Sequence, residues 1–561
     1  MVDSFEIAKN LFLDGLKYFQ NQEFQDAEHS FLKSLELAPN RASTLNNLAA
    51  TQIKLKKFDE AEKNLKHVIS LDEKSIDLWL NLGAIFLEKG QPTQAISYLE
   101  RCIELDPHNI LGWKLIAQSH DQNREFNNAI NCFKKILEFN PNNLDSLISI
   151  GAILNDLKEY DASIQYHQLA IEIDPNSTNG YVNMGVALSG LNKFDLALHN
   201  YSIALDLDPR DLEAWSNKGI TLHELKRFDE AIAHYDKALS LKPEYHAASL
   251  NKSLSLLLQG DFENGFPLYE SRQALEKVSE ILGKRLFDVP VWLGVESLQG
   301  KTVLLYVEQG LGDFIQFCRY VELVADLGAK VILEVPRPLV GLMRNLEGIS
   351  ELVTQGEDLP FFDYQCPLLS LPLAFNTNIN TIPSSIGYIN LDNHLKEIME
   401  WKVRLGLKSK PRVGLVWSGN PQHRNDHNRS ILLRDILPFL PNQFQYINLQ
   451  KEVREVDKLT LDSNSHILSF TSHLHDFVDT AALIDNLDLV ISVDTSVAHL
   501  SGALGKKTLL LLPYMPDWRW LLDKEDSPWY PSMKLYRQSA IDDWNSVLDR
   551  VKFDLNNRSD F

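Results

Sequence analysis

The chain has 561 residues, 44% of them hydrophobic and 23% charged, and 55 Lys and Arg face 76 Asp and Glu for a formal net charge of −21. That length calls for more than one domain. The charge argues against a chain built to neutralise nucleic-acid phosphates or to sit on anionic lipid. No apolar run approaches the roughly 20 residues of a membrane span. The first residues lead straight into an amphipathic helix, so no signal peptide is read and a cytoplasmic protein is expected. Cys102, Cys132, Cys318 and Cys366 are far apart, form no CxxC and read as reduced, buried residues.

From residue 4 the chain is periodic. Pro39, Pro107, Pro141, Pro175, Pro209 and Pro243 lie on a grid of 34 residues, with Glu73 at the vacant node. Gly15, Ala49, Gly83, Ala117, Gly151, Gly185 and Gly219 form a small-residue column in phase with it. Ala27, Ala61, Ala95, Ala129, Ser163, Ala197 and Ala231 form a second, and Phe24, Phe58, Phe126, Tyr160, Phe194 and Phe228 an aromatic one. A helix–turn–helix unit of this length cannot bury its own apolar face and stacks on copies of itself. These columns closely resemble the tetratricopeptide repeat over about residues 4–245, and a degenerate eighth unit with Asn251, Phe262, Gly265 and Tyr269 extends them to about 270.

Within the repeats, Asn47, Asn81, Asn183, Asn217 and Asn251 share one position of the first helix. An Asn side chain offers a donor and an acceptor, so such a column can grip the backbone of an extended peptide without reading its sequence. These residues are the expected acceptor-binding set. Trp79, Trp113, Tyr181 and Trp215 share another column, read as packing between repeats. His29, His67, His167, His199 and His234 read as surface or groove residues rather than metal ligands.

Residues 271–300 read as a connector. From Lys301 short apolar strands alternate with helical segments, the pattern of parallel α/β sheets. Residues 301–410 form a first Rossmann-like lobe, with strands at Val303–Val307 and Val331–Val335. Residues 411–555 form a second, with strands at Arg412–Trp417, Phe444–Leu449, Leu489–Val493 and Thr508–Leu512 and helices near Leu432–Leu440, Phe477–Asn486 and Ser496–Leu504. Two such lobes in succession point to a glycosyltransferase of the two-lobed GT-B type, whose ligands bind at the carboxyl ends of both sheets.

Three clusters fall at strand carboxyl ends. In Glu308-Gln309-Gly310-Leu311-Gly312-Asp313, two glycines allow a tight turn and close approach of a ligand, and Asp313 either caps its helix or removes a proton from an acceptor hydroxyl. In Trp417-Ser418-Gly419-Asn420 and the loop through Arg424 and Arg429, guanidinium groups are suited to a departing diphosphate. In Asp494-Thr495-Ser496-Val497-Ala498-His499, a buried strand delivers a helix N-terminus whose amides can bind phosphate. No Asp-x-Asp occurs beyond residue 271, so no metal and no other cofactor is expected beside a nucleotide-sugar co-substrate.

Asp494–Leu500 followed by Gly505, together with the Gly312-Asp313 turn, resembles the heptosyltransferase-type family-nine glycosyltransferases over about residues 300–540. The resemblance implies Asp313 as catalytic base, with Asp494, Thr495, His499 and Arg429 on the nucleotide diphosphate and inversion at the sugar carbon. Ser496 stands where that family has Gly. Repeats followed by two lobes are similar in layout to the protein O-GlcNAc transferases. The expected function is metal-independent transfer of a sugar from a nucleotide donor to a hydroxyl, on a protein held by the repeats. The donor set is Gly310, Gly312, Ser418, Gly419, Arg424, Arg429, Asp494, Thr495, Ser496 and His499. The alternatives are a non-catalytic repeat scaffold and a transferase of saccharide or lipid-linked acceptors; self-association is left open.

Overall fold

The computed structural model describes residues 4–71, 73–278, 287–423 and 425–557. The chain divides into two compact units, residues 1–221 and 222–561.

In the first unit antiparallel helix pairs follow one another, beginning with Ser4–Gln20 and Phe24–Leu37. The small-residue column has a steric cause. A Cβ at Gly15 would lie 2.6 Å from Phe31, at Gly83 2.4 Å from Leu99, at Gly151 2.4 Å from His167 and at Gly185 2.5 Å from Tyr201. Each of these glycines therefore lets the second helix of its own repeat close onto the first. The tryptophans of the other column are structural. Trp79, Trp113 and Trp215 donate their indole N–H to the carbonyls of Glu73, Pro107 and Pro209 at 2.9, 2.9 and 3.0 Å, so each ties its helix to the turn before it.

One expectation fails here. His167 is fully buried in the place that Phe31, Leu99 and Tyr201 fill in other repeats, and is neither a surface nor a groove residue. Burial pushes its imidazole down to about 4, so it packs as a neutral ring. A second column was invisible in composition. Residues 22, 56, 90, 124, 158, 192, 226 and 260 all have positive φ, yet only Gly90 and Gly260 are glycine. This is the left-handed turn between the two helices of each repeat.

The second unit begins inside the seventh repeat. Its last repeat helices, His246–Leu258 and Phe262–Tyr269, join the core of the α/β part. Phe262, Phe266 and Tyr269 meet the Trp518 ring edge-on at 6.2, 5.7 and 6.0 Å. Arg272, 2% exposed, is held by the carboxylate of Glu308, by Glu270 at 2.7 Å and by Ser370 Oγ at 2.7 Å. The expected connector thus opens with a helix, Ser271–Val278, that is pinned to the α/β core. Residues 279–286 lie outside the described residues.

Two parallel sheets follow. The first comprises β1 (Thr302–Tyr306), β2 (Lys330–Val335), β3 (Ile349–Thr354) and β4 (Tyr364–Pro367), ordered β3-β2-β1-β4. The second comprises β5 (Arg412–Val416), β6 (Gln445–Asn448), β7 (Ile467–Ser469), β8 (Leu489–Val493), β9 (Thr508–Leu512) and β10 (Met533–Arg537), ordered β10-β9-β8-β5-β6-β7. The second order is the doubly wound one, and strand order reverses between β1 and β4 and between β5 and β8. All residues of β5, β8 and β9 are buried, as parallel strands covered on both faces must be. The helix expected near Leu432–Leu440 is broken. Pro438 limits it to a short turn, Leu433–Ile436, and a 3₁₀ turn, Leu437–Phe439.

Candidate functional site

The carboxyl ends of β1, β5 and β8 converge on one cavity of about 950 Å³ in the second unit. β1 supplies Gln309 to Asp313, β5 supplies Gly419 and the loop with His423 and Arg429, and β8 supplies Asp494, Thr495, Ser496 and His499. The loop after β9 adds Asp517, Trp518 and Arg519, and the end of the Leu212–Glu224 helix adds His223 and Glu224. Gly310, Gly312, Asp313, Gly419, Arg429, Asp494, Thr495, Ser496 and His499, dispersed over 190 positions of sequence, line this one space.

At β1, Gly310 is the N-cap of the Leu311–Phe317 helix, and its amide donates to Asp313 Oδ2 at 2.9 Å. Asp313 Oδ1 accepts from Arg519 Nη2 at 2.5 Å. Burial pushes the Asp313 carboxyl up, and Arg519 works against that rise. Arg519 also bonds Asp517 at 2.8 Å and stacks over Trp518 at 4.5 Å. Gly312 lies against the helix that follows β8, since a Cβ there would sit 2.9 Å from His499.

At β5, Ser418 does not reach the cavity. It is buried under Gln450, which donates to its Oγ at 3.0 Å and accepts its N–H at 2.9 Å. Gly419 is needed beneath Arg429, whose Nη2 would be 2.6 Å from a Cβ. Arg429 Nη1 donates to the Asp494 carbonyl at 3.0 Å, joining the β5 and β8 loops. The nearby Asp426 is taken chiefly by Arg454 and by Ser430 Oγ at 2.8 Å. Arg424 lies outside the described residues.

At β8, Thr495 is the extended N-cap of the Ser496–Ala503 helix. Burial and the Asp517 charge push Asp494 up to about 6. His499, 5% exposed, stacks on Trp520 at 5.2 Å and shares a hydrogen bond with Tyr530 Oη at 2.9 Å. Burial drives its imidazole well below the usual range, so it meets a ligand as a neutral hydrogen-bonding group rather than as a cation.

The Asn column is half-buried. Asn47, Asn81, Asn183 and Asn217 lie in the first unit, and Asn251 lies in the second. Asn47 and Asn81 bond backbone carbonyls of Ser43 and Asn46, at 2.8 and 3.5 Å, and none of the five reaches the cavity. Sequence reading missed Arg519, Asp517, Trp518 and Glu224. An Arg between two tryptophans just after an apolar strand was the available signal for the first three. Glu224 sits in a repeat helix and gave none.

Tetratricopeptide-repeat family signatures match residues 42–75, 76–109, 115–178, 182–246 and 227–274. The first 275 or so residues are tetratricopeptide repeats. The chain is 25% identical over 324 residues to Protein FlbA of Caulobacter vibrioides, across 53% of this chain and 52% of that one. It thus spans about half the length of the curated relative it matches. Among solved structures it is similar to MamA of Desulfovibrio magneticus RS-1, at 20% identity and TM-score 0.28 over 31% of this chain and 98% of that one. It is likewise similar to YrrB, described as a TPR protein with an unusual peptide-binding site, at 21% identity and TM-score 0.28 over 34% and 98% of the two chains. A tetratricopeptide repeat protein of Parabacteroides merdae shares 16% identity at TM-score 0.39, over 45% and 99%. Among the described residues no helix is long and apolar enough to cross a membrane, and no group of three His, Cys, Asp or Glu is placed to hold a metal ion.

Proposed function

We propose that the second unit is a glycosyltransferase of the GT-B type, moving a sugar from a nucleoside-diphosphate donor to a hydroxyl. One observation carries the reading: the carboxyl ends of β1, β5 and β8, from two parallel sheets, open onto a single cavity that holds the start of the Ser496–Ala503 helix and Arg429. Ligands of doubly wound sheets lodge where strand order reverses. The helix start offers amides to phosphate. Arg429 is less committed than Arg519: its guanidinium lies 3.7 Å from Asp426, which Arg454 and Ser430 also hold, whereas Arg519 is shared at close range by Asp313 and Asp517. In this reading the repeats of the first unit recruit a protein acceptor through the Asn47, Asn81, Asn183 and Asn217 positions.

Asp313 is the base that the family resemblance implies. Each of its oxygens already accepts one bond, from the Gly310 amide and from Arg519, and keeps a further lone pair for a proton, while the Arg519 charge weakens it as a base.

Thermal unfolding of the whole chain with millimolar UDP, GDP, ADP and CMP tests the binding claim. A ligand at about 100 times its Kd stabilises the native state by about 2.7 kcal/mol. At least one of these nucleotides is expected to raise the Tm, and Arg429→Gln is expected to abolish the rise. No shift with any of them sinks the reading and leaves a repeat scaffold with an inert α/β unit.

A further inference from the structure

Among the described residues, no cation pairs with the Glu224 carboxylate. Glu224 ends the Leu212–Glu224 helix, is half-buried, and lines the cavity that holds Asp313 and Arg429. The negative end of the helix dipole makes that position unfavourable for an anion. Three basic side chains lie within three residues of it, and each is engaged elsewhere. His223 Nδ1 bonds Ser255 Oγ at 2.8 Å, Lys226 stands 3.7 Å over the Tyr514 ring, and Arg227 pairs with Glu230 at 2.7 Å. Among the described residues no hydrogen bond or ion pair reaches the Glu224 carboxylate. Burial pushes its carboxyl up to about 7. A carboxylate poised near neutrality in a cavity wall is what general-base chemistry requires, and leaving one unpaired has a cost in stability that structure alone does not recover.

We propose that Glu224 accepts the proton of the attacking hydroxyl, an assignment that rests on the glycosyltransferase reading. In the step, the acceptor O–H gives its proton to the Glu224 carboxylate as its oxygen bonds the anomeric carbon. The bond from that carbon to the diphosphate oxygen breaks, and its electron pair leaves on the nucleoside diphosphate beside Arg429. Asp313 then serves to hold Arg519 in place. Acceptor activation and leaving-group stabilisation come from different elements, the end of a repeat helix and the β5 and β8 loops.

The charged and titratable groups around Glu224 are His223 on its own helix, Lys226 and Arg227 in the turn that follows, Tyr235 on the Phe228–Leu241 helix, and, across the cavity, Asp313, His423, Arg429, Asp494, His499, Asp517 and Arg519. The test uses the full chain with UDP-N-acetylglucosamine, UDP-glucose, GDP-mannose and ADP-glucose, following binding by calorimetry and hydrolysis by ³¹P NMR, with water as acceptor. At least one donor is expected to bind and to be hydrolysed, at a rate that climbs with pH through about 7 as the base loses its proton. Glu224→Gln is expected to keep donor affinity within about twofold, lower hydrolysis by about 100-fold or more and remove the climb, while Glu224→Asp retains it. The Gln variant is also expected to melt higher than wild type at pH 8, since it removes an unpaired charge. Wild-type hydrolysis in Glu224→Gln, with loss in Asp313→Asn at intact donor affinity, overturns the assignment and leaves the transferase reading standing. Absence of donor binding by the wild-type chain overturns both.

Discussion

Asp313 and Arg519, 206 positions apart in the chain, meet at 2.5 Å in the lining of the cavity, and the pair joins the loops that follow strands of the two sheets. Asp313 lies just after β1 of the first sheet, and Arg519 follows β9 of the second. Arg519 is 7% exposed at its side chain, and Asp517 holds its other amino group at 2.8 Å.

Removing Arg519 leaves two half-buried carboxylates without their cation. Arg519→Met is expected to destabilise the second unit by about 3–5 kcal/mol, the range for breaking a buried pair from one side. Asp313→Asn, which keeps the shape and leaves Asp517 to pair with Arg519, is expected to cost less. Urea unfolding followed by tryptophan fluorescence measures both. Equal losses would show that Asp517 does not hold the guanidinium alone.

Gly419→Ala tests whether Arg429 is positioned for an anion. The new methyl would lie 2.6 Å from Nη2, so the guanidinium must move off the Asp494 carbonyl. Calorimetry with whichever nucleoside diphosphate binds is expected to show a loss of about 1.5–3 kcal/mol, the scale of a hydrogen bond to a charged group. The Tm without ligand should change little. Unaltered affinity would remove Arg429 from the ligand.

His167 predicts an acid-sensitive repeat array. Its imidazole falls from an ordinary 6.5 to about 4 in the folded chain, because burial disfavours the cation. The unfolded chain therefore binds the proton first as pH drops. Stability is complete above about 6.5 and declines as pH falls toward about 4, by on the order of 3 kcal/mol in all at 1.36 kcal/mol per pH unit. His167→Leu is expected to flatten that decline for the first unit. Equal acid sensitivity in the variant, by circular dichroism between pH 4 and 7, would refute it.

The left-handed turn column predicts a stabilising substitution. Arg124 holds φ at 58° and is exposed. A left-handed L-residue costs about 1–2 kcal/mol that glycine avoids, less glycine's larger entropy loss on folding. Arg124→Gly should raise the unfolding free energy by about 0.5–1 kcal/mol. The same change at Leu147, a buried helical residue, is expected to be strongly destabilising and serves as the contrast.

Much of the fold was readable because repetition averages out local ambiguity. A Pro or Gly recurring every 34 residues carries the same physical demand each time, and the paired helices fell where those demands put them. The strands found from sequence, at β1, β2, β5, β6, β8 and β9, are apolar runs in sheet interiors. Those without a clear signal, β3, β4, β7 and β10, are the outermost strands of their sheets. An outer strand pairs with only one strand of its sheet, so exposed residues such as Glu351 are tolerated in β3, and β4, whose free edge is bonded by residues 290–292, can end at Pro367. The left-handed turns escaped notice because Gln22, Lys56, Arg124, Lys158 and Lys226 fill them without the usual Gly or Asn.

The sequence by itself determined the repeat period, the parallel α/β character of the second half and the three loops at strand ends, since each depends on near neighbours along the chain. Tertiary structure alone decided that Ser418 is sealed under Gln450 and that His499 is a neutral buried ring. It also decided that Arg519 claims Asp313 and that Glu224 stands in the same cavity with no ion pair among the described residues. Proton affinity and charge pairing depend on which groups come within a few ångströms through space, and residues 206 positions apart announce no such meeting in their order.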